Sequence, residues 1–334
     1  MREIEEPLVT VVLTAYNHQQ YVEETLKSVF AQTYANIQVI AIDNASSDDT
    51  LTVFENYLVA YPKLTIIRNL TNLGLCRAFN QGLREASGKY IIDLAADDIM
   101  LPDRVRLQVE AFEKLEEDYG VVFTNARYMK ENGGLLNFHY PVNQFEKAEK
   151  SIPSGDVYKS VLENYFICTP TMMMRTKMLT DMGGYDESLF FEDFDFWVRS
   201  SVHYKYFYLD EVLTLKRNVP DSLSKQIYKK GNRLLETCYI VCNKAYDLNR
   251  DQEEFDLLAA RIRTFIRKCF YAEEFELAVR FRRLLNYIEN PDFLTEMIVA
   301  MCRIHLPVNG LYRFYLNNLQ KKSSRQEGFS LLNC

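Results

Sequence analysis

Apolar and polar positions follow one another along this chain in two rhythms. Leu8–Tyr16 is a run of β-branched and apolar residues, the pattern of a strand buried on both faces. Helical spacing follows in Gln20–Gln32, where Val22, Leu26, Val29 and Phe30 recur on one side. The same succession then repeats. A strand is predicted over Ile37–Ile42, ending at Asp43, and a helix over Thr50–Tyr61, capped from Ser46–Asp49. A strand over Leu64–Arg68, a helix over Leu75–Glu85 closed by Ser87-Gly88, and a strand over Tyr90–Leu94 come next. Pro102 opens a helix reaching Leu115. Further strands are predicted over Val121–Tyr128, Thr171–Arg175 and Lys205–Leu209, with a turn at Asn132-Gly133-Gly134 and a helix over Asp193–Ser200. From about Asp221 long amphipathic helical patterns take over, broken near Asn249, Asn290-Pro291 and Pro307.

Strands and helices alternating through short loops predict an α/β fold with a mostly parallel, doubly wound sheet. Such sheets bind ligands beyond the carboxyl ends of their strands. Three polar clusters, Thr14–Asn17, Asp43–Asp49 and Asp97–Asp98, are therefore expected on one edge. The change of texture near 220–225 divides the chain into an α/β domain over 1–222 and a helical C-terminal subdomain over 223–334.

Composition adds few constraints. Apolar residues make up 48% of the 334, enough for a core of normal size without disulfides. Cysteines 76, 168, 238, 242, 269, 302 and 334 contain no CxxC pair, so reduced thiols in a cytoplasmic protein are expected and a structural zinc is not. The acidic start MREIEEPLVTVV does not have the form of a secretory signal, and no apolar run is long enough to span a membrane. Residues 1–225 carry 22 basic against 33 acidic side chains, while 226–334 carry 17 against 13. An acidic front half argues against nucleic acid as a partner and suits a divalent cation.

The first strand–helix loop, TAYNHQQYV, has neither GxGxxG nor GxxxxGK[ST], which argues against a dinucleotide-binding turn and a P-loop. Asp97-Asp98 is the strongest single feature. Adjacent carboxylates at the end of a buried strand repel each other, and a divalent cation bridging to a diphosphate relieves that cost. Taken alone, the pair reads equally as a helix cap before Leu101-Pro102.

Five ordered motifs extend the picture: VTVVLTAYNHQQYVEETLKSVFAQTY, IDNASSDDT, NLGLCRAFNQGL, GKYIIDLAADDIMLPDRV and GGYDESLFFEDFDFWVR. Together, over residues 8 to about 220, they resemble the family 2 inverting glycosyltransferases of the GT-A fold, the nucleotide-diphospho-sugar transferases whose sheet is sandwiched by helices. The resemblance implies that Thr14, Ala15 and Tyr16 line the base of a nucleotide-sugar donor and that Asp43 accepts its imide N–H, which selects uracil or thymine-like bases and so favours a UDP-sugar. It implies that Arg77 lies near base or phosphates, that Asp97 faces ribose and sugar, that Asp98 coordinates Mn2+ or Mg2+, and that Asp193 is the catalytic base. Many members carry another Asp two residues before the first acid of the pair, where this chain has Ala95.

Several residues carry two readings. Asp193 reads by itself as an acid favoured at a helix start. Asp195 points away from it and is expected to be structural. Trp197, four residues on, is expected either to stack on a sugar or to anchor the core, and Glu192 is a candidate contact to sugar or acceptor. Gly183-Gly184-Tyr185 reads as an acceptor-shaping loop or a helix C-cap, Met172–Met174 as core, and His18 as a loop residue. In the C-terminal helices, Arg and Lys alternate with Phe and Tyr. They are expected to pack on the first domain or on a second copy, or to bring the enzyme to a lipid-linked glycan acceptor at the inner face of the cell membrane. The competing functional reading is a nucleotide-sugar-binding subunit without catalysis.

Overall fold

The computed structural model describes residues 6–219 and 226–323. Met1–Glu5, the boundary stretch 220–225 and the tail 324–334 with Cys334 lie outside the described residues. The chain forms two compact units. The first comprises 1–157, 167–193 and 203–219, and the second comprises 158–166, 194–202 and the chain from 220 onward.

The first unit holds one sheet. Its strands are β1 (Val9–Ala15), β2 (Ile37–Asp43), β3 (Thr65–Arg68), β4 (Tyr90–Ala95), β5 (Ile99–Met100), β6 (Tyr119–Lys130), β7 (Leu135–Phe138), β8 (Met173–Arg175) and β9 (Lys205–Asn218). They pair in the order β3-β2-β1-β4-β8-β6-β9-β5, with β7 on β6. The block β3-β2-β1-β4 is parallel, as helical crossovers require. β8 runs antiparallel to both β4 and β6, β9 runs parallel to β6, and β5 antiparallel to β9. Every residue of β1 is buried, which explains its unbroken apolar sequence. Its register sets Ala15 beside Asp43 and Thr14 beside Ala95, so the polar clusters do share one edge.

The helices are α1 (Val22–Phe30), α2 (Thr50–Ala60), α3 (Leu75–Glu85), α4 (Arg104–Phe112), α5 (Tyr158–Glu163), α6 (Thr176–Asp181), α7 (Asp193–Ser201), α8 (Leu234–Leu248), α9 (Gln252–Ala272), α10 (Phe275–Leu285), α11 (Phe293–Arg303) and α12 (Asn309–Ser323). On one face of the sheet, Val9, Val11, Leu13, Ile92 and Leu94 pack with Val22, Leu26 and Val105. On the other lies α3, held so close that a Cβ at Gly82 would stand 2.5 Å from Val12 Cγ1. Met172, Met173 and Met174 are core residues, 0–1% exposed.

The strand expected over Lys205–Leu209 continues to Asn218. Its second half, DEVLTLKRN, is too polar to read as a strand, yet β6 and β5 satisfy its backbone from both sides. The second unit takes two pieces from within 1–222, because Val161, Leu162, Phe194 and Trp197 are apolar faces completed by its own helices. Arg261 shows the packing there, with its guanidinium donating to the Val161 carbonyl at 3.1 Å and lying over the rings of Tyr165 and Phe194. Asp195 is 1% exposed and held by Arg199 at 2.7 Å and Lys244 at 2.6 Å, the arrangement a buried charge needs. The six described cysteines are free, and no helix among the described residues is long and apolar enough to cross a membrane.

The Gly82 contact is testable. Gly82→Ala forces α3 off the sheet, so a loss of about 1–3 kcal/mol is expected from overpacking. Thermal melts of the variant and wild type check it, and an unchanged Tm contradicts it.

Candidate active site

Two loops form the floor of the edge, and each supplies the other's missing hydrogen bonds. After β1, Asn17 adopts a left-handed conformation with φ 58° and donates its N–H to Ser46 Oγ at 3.0 Å. Its own Oδ1 accepts the Ser47 N–H at 2.8 Å. The His18 N–H reaches Thr50 Oγ1, the Gln19 N–H reaches Asp48 Oδ2, and the Asp49 N–H reaches Gln19 Oε1. Asn44, 3% exposed, ties in the next loop by accepting the Leu73 N–H and donating to Asn72 Oδ1. These are the local side-chain-to-backbone bonds that Asn, Asp and Ser make in turns.

Into this frame fall the expected base-binding residues. Asp43 is 2% exposed and one carboxylate oxygen accepts the Ser46 N–H at 3.2 Å. Thr14 is 7% exposed with its hydroxyl unpartnered, Ala15 is buried and Tyr16 is exposed. Arg77, at the start of α3, is exposed and stands 3.6 Å from Glu187.

The acid pair divides. Asp97 is half-buried, whereas Asp98 is 3% exposed with Oδ1 accepting the backbone N–H of Arg217 at 2.8 Å. Burial, and after it the Asp97 charge, push the Asp98 carboxyl up to about 7. Arg217, which the sequence reading passed over, is the hub here. It donates to the carbonyls of Asp97 and Glu131 at 3.0 Å, pairs with Glu24 at 2.5 Å, and lies over the Tyr21 ring. Among the described residues no three His, Cys, Asp or Glu side chains converge to make a metal cage. One half-buried and one buried carboxylate fit instead a Mg2+-like cation that takes most of its oxygens from a diphosphate and water. Asp97 and Asp98 are the residues that would hold it.

A second group of acids lies on neighbouring elements. Asp193, first residue of α7, accepts the Thr169 hydroxyl at 3.2 Å. Beside it Glu192 has one buried, unpartnered carboxylate oxygen. Burial, then the charges of Asp193 and Asp93, push the Glu192 carboxyl well up. Asp93, on β4 two residues below Ala95, accepts the Tyr185 hydroxyl at 3.2 Å. The Tyr185 backbone is gripped by Asn80 at 2.8 and 2.9 Å. Gly184 makes that grip fit, since its φ is +77° and a Cβ there would meet Asn80 Oδ1 at 2.5 Å. The Gly183 and Gly184 N–H groups also cap α6 through the Thr180 and Leu179 carbonyls, which is the helix C-cap expected of this segment. Lys216 on β9 supplies a cation, and its charge interacts with both Asp98 and Asp193.

Trp197 is 2% exposed and meets Tyr165 edge-on at 5.9 Å, which makes it a core anchor of the second unit. Lys216, Arg217, Asp93 and Asn44 are the site residues that the sequence reading missed. Their one signal is a polar or basic residue inside or just after a strand.

Asp93 gives a pH prediction. Burial pushes its carboxyl up to about 7 despite the Tyr185 bond, while the unfolded chain keeps the ordinary value. The folded state therefore binds the extra proton between about pH 4 and 7, and stability falls as pH rises through that window. Asp93→Asn removes the loss and should raise the Tm relative to wild type at pH 8 by about 2–4 °C or more. At pH 5 the difference should be smaller, and an equal difference at both pH values contradicts the assignment.

Comparison with known proteins bears on the whole edge. The sequence profile of the family described as "Glycosyl transferase family 2" matches residues 10–183. An uncharacterized glycosyltransferase of Methanocaldococcus jannaschii is 30% identical over 223 residues, covering 66% of this chain and 73% of its own length. An uncharacterized glycosyltransferase of Haemophilus influenzae is 30% identical over 193 residues, covering 57% of this chain and 59% of its own. Among solved structures, Staphylococcus aureus TarS 1–349 in complex with UDP-GlcNAc superposes with a TM-score of 0.59 at 16% identity, covering 92% of this chain and 91% of that one. The mannosyltransferase PcManGT of Pyrobaculum calidifontis in complex with GDP-Man and Mn2+ gives 0.57 at 16%, covering 91% and 86%. At such identity the structural likeness is one of fold, here the GT-A fold.

Proposed function

The chain belongs to glycosyltransferase family 2, and from that premise we propose that it transfers a sugar from a UDP-sugar to an acceptor hydroxyl with inversion, in glycan or cell-surface polysaccharide synthesis. The observation that carries the proposal is the gathering of Asp43, Asp97 and Asp98 on one sheet edge, with the Asp193 carboxylate fixed by Thr169. The UDP and UDP-GlcNAc bound to TarS support a uridine donor.

Each residue has a part in this reading. Asp43 spends one oxygen on Ser46 and keeps the other for the imide N–H of uracil. Exposed Tyr16 offers its ring to the base, and Arg77 a charge to the phosphates. Asp193 accepts the proton of the acceptor hydroxyl. The acceptor oxygen bonds to the anomeric carbon as the bond to the β-phosphate oxygen breaks, with its electron pair leaving on the nucleoside diphosphate. Glu192 contacts the sugar or acceptor beside the base. A divalent cation, when bound, supplies Lewis acidity to the leaving diphosphate. Asp97, the more exposed of the pair, is its main protein ligand in this proposal, and Asp98 fixes the turn through Arg217. That moves the metal from Asp98, where the resemblance puts it, to Asp97.

Asp193→Asn should cut turnover by about 10²- to 10⁴-fold with UDP affinity unchanged. Release of UDP from a panel of UDP-sugars with Mn2+, alongside calorimetric titration of UDP, measures both. Full activity in the variant refutes the base, and UDP binding without UDP release by the wild type favours a donor-binding subunit.

A lipid-linked acceptor has one supporting observation. On α11, just after it and on α12 of the second unit, Phe293, Ile304, Leu311 and Phe314 are 69–85% exposed. Side chains of this kind insert into a bilayer interface. The protein should sediment with anionic liposomes at low salt, and failure to do so removes the membrane from the proposal.

A further inference from the structure

Lys216 brings a further cation to an edge rich in acids. Its neighbour on β9, Arg217, donates the backbone N–H that holds Asp98, so Lys216 is one residue from the acid pair's anchor. Across the sheet it pairs in register with Tyr128 of β6. Its side chain is half-buried, and its charge interacts with Asp98, Cys168, Tyr128 and Asp193. Glu192 and Cys168 feel it in turn. Burial pulls the Lys216 ammonium down, but those four neighbours together hold it above the ordinary lysine value, so it is charged at neutral pH.

The other cations near this edge already have protein partners, although one buried Arg104 nitrogen has none. Arg217 is committed to Asp97, Glu131 and Glu24, and Arg104 donates to the Met172 carbonyl and to Gln108. Arg77 stands beside Glu187. Among the described residues no carboxylate reaches ion-pair distance of the Lys216 ammonium, which leaves its three donors for a ligand. A lysine binds phosphate as a point charge and needs no bidentate geometry. Ala95 sharpens the point, because the protein offers few carboxylate oxygens to hold a metal where the diphosphate must be neutralised.

We propose that Lys216 is the protein's own cation for the donor diphosphate, donating to a phosphate oxygen and stabilising the nucleoside diphosphate as it departs. Resting on the donor reading above, this adds that nucleotide binding and part of turnover persist without divalent metal. When the bond from the anomeric carbon breaks, its electron pair settles on the β-phosphate oxygen, and Lys216 keeps its proton while stabilising that charge.

Calorimetric titration of UDP and of uridine tests this in wild type, Lys216→Met and Lys216→Arg, each in EDTA and in Mn2+. In EDTA the wild type should bind UDP at least about 10-fold more tightly than uridine, a gap of about 1.4 kcal/mol. Lys216→Met should lose that gap with uridine affinity unchanged, Lys216→Arg should keep most of it, and Mn2+ should shrink the Met variant's deficit. EDTA-resistant release of UDP from UDP-sugar should fall in step. Lys216→Met binding UDP in EDTA as tightly as wild type overturns the proposal. Should that variant not fold, equal wild-type affinity for UDP and uridine in EDTA overturns it just as well. A wild type that binds neither compound even with Mn2+ refutes the donor reading itself, and this inference falls with it.

Discussion

Much of the first unit depends on one constraint, the short link from β4 to β5. Only residues 96–98 join the two strands, yet three strands, β8, β6 and β9, lie between them in the sheet. A three-residue link reaches about 10 Å, so the sheet must curl until its far edge returns to the end of β4. The hydrogen bond from the Arg217 N–H to Asp98 is where the curl closes. Asp98 is thus buried by topology, and its carboxylate is worth burying because it satisfies a backbone donor on the returning strand. Arg217 then fastens the closure to α1 through Glu24 and to the β6–β7 turn through Glu131.

Such a closure places charges in a dry interior, where they cost several kcal/mol each unless neighbours offset them. Acids and bases are interleaved to meet that cost. Asp98 has Arg217's amide and the fields of Lys216 and Arg104, and Asp93 has the Tyr185 hydroxyl. The offset is incomplete at Asp93, Asp98 and Glu192, whose carboxyls all lie above the ordinary range. Incomplete compensation of this kind is common where a charged ligand completes the balance.

The parallel half of the fold was legible because β1, β2 and β4 are buried over most of their length and are therefore mostly apolar. The edge was legible because parallel sheets gather their strand ends. The division of labour within Asp97-Asp98 was not, since adjacent residues on a turn point apart, and which one goes inward is decided by Arg217, 119 positions after Asp98. Lys216 was hidden for a related reason. Basic residues in a half-buried strand look like surface, and only the folded chain brings this one within range of Asp98 and Asp193. Trp197 was ambiguous because a buried aromatic and a sugar platform share one sequence signal, and the Tyr165 contact separates them.

The loops after β1 and β2 interlock through main-chain donors and the side chains of Asn17, Gln19, Ser46, Asp48 and Thr50. Each bond fixes a spacing as well as a partner. An inserted residue in either loop would shift every later contact by one position, whereas an exchange of Ser for Thr or Asp for Asn would leave the lattice intact. A change of length in this part of the molecule therefore costs far more than a substitution.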